Sequence, residues 1–128
     1  MDDTERYAQG MKVRRAVLGG DHVDKAVANT TPFNDPFQDL ITRYAWGEIW
    51  TRPGLPRATR SLITLAMMIA LNRPEELRMH LKAAIRNGVT REQIQEVLLH
   101  SSIYCGVPAA NDAFHIARQV FTEMDASR

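Results

Sequence analysis

Glu96 and His100 stand four residues apart, a spacing that stacks a carboxylate and an imidazole on one side of a helix. Such a pair can hold or deliver a proton, with the carboxylate orienting and charging the ring. His80 is a second imidazole, four residues after Glu76, and it shares the face or edge of a stripe formed by Leu77, Leu81 and Ala84. Arg57 and Arg60 follow Pro56 at the start of an apolar run. Cations at a helix start oppose the macrodipole, and an anion bound there relieves the conflict. Each group also has a plainer explanation: a satisfied core histidine, a solvated Glu–His pair, ordinary surface arginines.

Other reactive types carry less. Cys105 has no cysteine partner in the sequence and reads as a small core residue. His115 flanks the stripe of the last helix and reads as a rim residue, and His22 is assigned nothing. The sequence has no HExxH, CxxC, GxGxxG or P-loop pattern, so neither a metal nor a nucleotide site is expected.

The elements that must position these residues are all helical. The first helix is expected over 3–18, ended by Gly19-Gly20, and a second, capped by Asp21, to about Asn29. A Pro- and Asn-containing loop follows, and Pro36 opens a helix to about Trp50 with Phe37, Leu40, Ile41, Tyr44 and Trp46 or Ile49 inward. Pro56 opens the next helix, to about Leu71; its stretch 62–71 is apolar on all sides and reads as the central core helix. A helix from Asn72 or Arg73 to about Asn87 is closed by Gly88, and Thr90 with Gln93 forms a capping box for a helix to about Tyr104. That helix is apolar on both sides, Ile94, Val97, Leu98, Ser101 and Cys105 against Glu96, Leu99, His100 and Ile103, so it is expected to be sandwiched. A last helix is expected from about Ala109 to Met124, with Ala110, Ala113, Phe114, Ala117, Phe121 and Met124 inward. The fold class is all-α, a bundle of six to seven helices in a single domain over 1–128.

Composition sets the limits. The chain has 128 residues, enough for one core, and a net charge of +1, far from the basic excess of a nucleic-acid binder. One cysteine excludes an internal disulfide and fits a reducing compartment. The N-terminus is acidic and the longest apolar run is far short of the roughly 20 residues of a membrane span, so a cytoplasmic protein is expected.

Several blocks together resemble the carboxymuconolactone decarboxylases of the alkylhydroperoxidase-like superfamily. They are the segment from Tyr44 through Trp46 and Trp50 to Leu55, then Arg60-Ser61-Leu62, then 75–80 through Asn87-Gly88-Val89-Thr90, then 96–100 and 104–111. The resemblance covers nearly the whole chain. It implies the all-helical fold of that superfamily, a homo-oligomer with a hexamer favoured, and a cofactor-free lyase in the protocatechuate branch of the β-ketoadipate pathway. The peroxidase members carry a CxxC followed by a His. Aligning that His with His80 puts Arg73 and Glu76 at the cysteine positions and Ser61 at that of a relay Glu, so disulfide chemistry is not available to this chain.

The implied substrate is a small dianionic lactone, 4-carboxymuconolactone, and the implied product is 3-oxoadipate enol-lactone plus CO2. The ring double bond and lactone carbonyl accept the electron pair left by CO2, so no cofactor is needed. The chemistry asks for carboxylate anchors, a donor to the lactone oxygen and a proton source. Read with the resemblance, His80, His100 and Glu96 are the expected catalytic residues, with Glu96 orienting a histidine; Arg57 and Arg60 are the expected anchors, and Trp46 and Tyr104 the pocket walls. Two other readings stay open: a non-catalytic oligomer that binds small anions, and a decarboxylase or isomerase of a related lactone.

Overall fold

The structure is a computed structural model that describes residues 1–127. Seven α-helices and one π-helical segment account for about four fifths of them, and the chain divides into two compact units, Met1–Arg57 and Ala58–Arg128.

In the first unit, α1 (Asp3–Leu18) begins where Asp2 accepts a 2.8 Å hydrogen bond from the Glu5 N–H, and stops at Gly19, whose φ of 96° suits glycine. α2 (Gly20–Ala28) starts earlier than expected: Gly19 occupies the capping position, and Asp21 sits in the first turn without capping it. α3 (Asp35–Ile41) runs directly into a π-helical segment, Thr42–Ile49. The extent expected for this helix is right, but the winding changes at Thr42.

The reason is a backbone crossing. A Cβ on Gly10 would collide with the Thr42 carbonyl oxygen and the Gly47 nitrogen, and one on Gly47 would collide with the Arg6 carbonyl. α1 and the π segment therefore touch main chain to main chain. The wider winding buries Thr42, Trp46 and Gly47, while Phe37, Leu40, Tyr44 and Ile49, expected to face inward, lie exposed. Arg6 of α1 ties the crossing down through Glu48 at 3.0 Å, and Arg43 of the π segment through Asp3 of α1 at 3.2 Å.

The second unit holds α4 (Arg57–Ala70, entered from the first unit at Arg57), α5 (Pro74–Arg86), α6 (Arg91–Tyr104) and α7 (Val107–Ala126). Its core is built from Leu65 and Ile69 of α4, Leu77 and Leu81 of α5, Ile94 and Leu98 of α6, and Ala113, Ala117 and Val120 of α7. Pro56 lies just before α4, and α4 is not buried all round: Met67 is 54% exposed, as is Leu71 just past its end at 61%. α6 opens with the expected capping box, the Thr90 side chain accepting from the Gln93 N–H and the Gln93 side chain from the Thr90 N–H. α7 starts two residues earlier than expected, and Val120 takes the inward place expected for Phe114, which is exposed. Cys105 packs at the edge of the core and His115 is exposed, as expected.

Candidate functional site

The capping box sets where α6 begins, and burial of its apolar stripe sets which way it faces. Ile94, Leu98 and Ser101 point into the core, which turns Glu96 and His100 away from it. There, α6 and α4 line a cavity of about 490 Å³, with Leu62, Ile63 and Ala66 from α4 and Gln93, Glu96, Val97, His100 and Ser101 from α6. Its walls are mainly apolar, with the imidazole and the carboxylate among them. Both polar side chains are exposed, so the groove is open to solvent.

Two of the polar neighbours are already oriented. The Gln93 side-chain oxygen accepts from the Thr90 N–H at 2.9 Å, and the Ser101 hydroxyl donates to the Val97 carbonyl at 2.7 Å. The His100 ring stacks on Tyr104, with centroids 4.9 Å apart and planes 29° apart. The structure thus brings Glu96, His100 and Tyr104 together along one face of α6. Ile103 and Tyr104, both 78% exposed, continue that face as bare apolar surface.

The other expected site residues lie elsewhere. His80 is half-buried on α5, outside that cavity's lining, and its neighbour on the chain, Leu81, is fully buried. Arg60 is half-buried in the first turn of α4. Ser61 is fully buried and accepts a 3.1 Å hydrogen bond from the Asn87 side-chain amide, a structural role. Trp46 and Arg57 belong to the first unit. The Trp46 ring is buried 5.2 Å from that of Trp50, and Arg57 lines a separate cavity of about 630 Å³ with Lys12, Trp50 and Arg52. Sequence reading missed Gln93, Val97 and Ser101 as neighbours of the pair. Gln93 was within reach of it, because 93, 96, 97 and 100 form one helical stripe. Among the described residues, no group of three His, Cys, Asp or Glu side chains is placed to hold a metal.

A family model, "Carboxymuconolactone decarboxylase family", matches residues 35–119. The chain belongs to this family. A 4-carboxymuconolactone decarboxylase of Acinetobacter baylyi is 52% identical over 124 residues, covering 97% of this chain and 92% of that one. A nitrosuccinic acid decarboxylase of Metarhizium robertsii is 44% identical, covering 92% of this chain and 82% of that one. A 4-carboxymuconolactone decarboxylase sequence of Pseudomonas putida is 52% identical over 48 residues, all of that sequence and 38% of this chain. Family membership accounts for the all-helical fold.

Proposed function

We propose that this protein is a lyase that decarboxylates 4-carboxymuconolactone to 3-oxoadipate enol-lactone and CO2, in the protocatechuate branch of the β-ketoadipate pathway. The observation that carries the reading is the near full-length match to the Acinetobacter baylyi enzyme. The bond from the γ carbon to its carboxylate breaks, and the electron pair forms a γ,β double bond. The former ring π pair moves onto the lactone carbonyl and returns to the α carbon, which takes a proton. The substrate is its own electron sink, so protein side chains suffice.

Within this reading His100 is the proton donor or the donor to the lactone oxygen, and His80 the other. Glu96 positions and charges a histidine, because a carboxylate in direct contact with a dianion is repulsive. Tyr104 holds the His100 ring, and its stacked geometry supports that assignment. Arg57, Arg60 and Trp46 are the remaining substrate-binding candidates, to be tested by KM. The bare apolar face of α6 supports a homo-oligomer, a hexamer favoured, in which a second copy covers Leu99, Ile103 and Tyr104. No described helix is long and apolar enough to cross a membrane, and a cytoplasmic location is part of the proposal.

The test is turnover of freshly prepared 4-carboxymuconolactone with CO2 release followed directly, with and without EDTA. Turnover that survives EDTA supports the reading; a folded protein that releases no CO2 overturns it. A second reading has one observation in its favour, the 44% identical relative named for nitrosuccinic acid. A nitro group also takes up an electron pair, so nitrosuccinate is the competing substrate to assay.

A further inference from the structure

The cavity at Glu96 and His100 contains one carboxylate and no cation in its lining. A dianion needs the reverse, and the reverse is found in the first unit. There a cavity of about 630 Å³ is lined by Lys12 from α1, by Arg52 from the loop after the π segment, by Arg57 at the start of α4, and by the Trp50 indole. No carboxylate lines it. Its volume lies within the roughly 300–1,000 Å³ typical of small-molecule sites.

We propose that Lys12, Arg52 and Arg57 form a dicarboxylate-binding site, in which the cationic heads hold the two carboxylates and the apolar body of the ligand lies against Trp50. Neither Lys12 nor Arg52 stands out in the sequence. The chemistry favours an organic dicarboxylate over phosphate. The cations come from three separate segments around an indole and the apolar side chains of Val13 and Leu55, which suits charges spread over an extended body more than one compact anion.

Arg57 is also a substrate-binding candidate of the decarboxylase reading, but this proposal concerns binding alone and does not need turnover. Both tryptophans of the chain, Trp46 and Trp50, lie in this unit 5.2 Å apart, so intrinsic fluorescence reports on it directly. The experiment titrates glutarate into the full-length protein, with butyrate, inorganic phosphate and sodium chloride at matched ionic strength as comparisons. Saturable quenching by glutarate is expected, with butyrate and phosphate at least about tenfold weaker, and with Lys12→Met and Arg57→Gln each weakening glutarate about tenfold. Lys12→Arg and Arg57→Lys keep the charge and are expected to retain most of the binding. They also serve if the neutral variants fail to fold.

A response to glutarate no larger than that to chloride overturns the proposal, as does tighter binding of phosphate or unchanged binding in folded Lys12→Met and Arg57→Gln. The two readings separate cleanly. Glutarate binding through these residues without CO2 release from the lactone refutes the proposed reaction and leaves the site standing. Turnover with glutarate binding absent refutes the site and leaves the reaction standing.

Discussion

The imidazole of His100 lies stacked against the phenol ring of Tyr104, one helical turn further along α6, with centroids 4.9 Å apart. The stack restricts the ring at the mouth of the cavity, where an exposed histidine on its own would sample several rotamers. If His100 moves a proton, His100→Ala lowers kcat by about 10²-fold or more, in the range of general acid–base catalysis. Tyr104→Phe keeps the stack and is expected to be nearly silent. Tyr104→Ala releases the ring and is expected to lower kcat about threefold to tenfold with little change in melting temperature, consistent with the loss expected from a misplaced group. Steady-state kinetics alongside thermal melts separate these outcomes; a silent His100→Ala would remove His100 from the chemistry.

The main-chain contact between α1 and the π segment makes a contrast between two glycines. Gly10→Ala places a methyl group against the Thr42 carbonyl and the Gly47 nitrogen, which are backbone and cannot step aside. Overpacking of this kind costs about 1–3 kcal/mol. At Gly20, within α2, the nearest obstacle is the flexible end of Arg15 at 3.8 Å, so Gly20→Ala is expected to stabilise by about 0.4–1 kcal/mol. Urea unfolding of the two variants is expected to move in opposite directions from wild type.

Arg14 is 5% exposed, and its guanidinium donates to the Gln38 side-chain oxygen at 2.9 Å and the Thr42 hydroxyl at 3.3 Å. Burial pulls its pKa below the ordinary arginine value, and the Tyr7 phenol offsets this only in part. Because the folded value is the lower one, the charged form carries a penalty in the native state at neutral pH. That penalty lifts only as pH rises through the folded pKa, in the alkaline range. Arg14→Lys keeps the charge and loses the fork that reaches both partners, so a loss of about 1–2 kcal/mol is expected by urea titration. An unchanged midpoint would show that the two hydrogen bonds contribute nothing net.

Ile103 is 78% exposed on the face of α6 that continues from His100. If a second copy covers it, Ile103→Glu buries an unpaired charge at that contact and is expected to shift the protein to a smaller species in sedimentation velocity. Circular dichroism should stay unchanged, since the residue contributes nothing to the core of its own unit. A wild-type monomer in the same experiment would overturn the oligomer proposal.

The sequence by itself determined where most helices begin and end. Gly19 and Gly88 take the positive φ that their chain-stopping positions require, Thr90 and Gln93 close the capping box, and α1 and α6 have the expected bounds. These signals act over about four residues, so a local reading captures them. The two faces of α6, and hence the Glu96–His100 stripe, were legible for the same reason: helical periodicity fixes which side chains share a side. The family blocks likewise pointed to the fold that the match over 35–119 now shows.

Only the tertiary structure decided what each face meets. The π winding at Thr42–Ile49 follows from a crossing with Gly10, some thirty residues away in the chain, and nothing in the local sequence announces it. That winding buries Thr42 with Trp46 and leaves Tyr44 and Ile49 outside, against their intrinsic hydrophobicity. Likewise the apolar stretch 62–71 reads as fully buried but keeps a bare side, because one helix has only as many neighbours as the fold supplies. The gathering of Lys12 with Arg52 and Arg57 is a third case: their spacing in sequence has no period, and only the folding of α1 back onto the π segment brings them to one cavity.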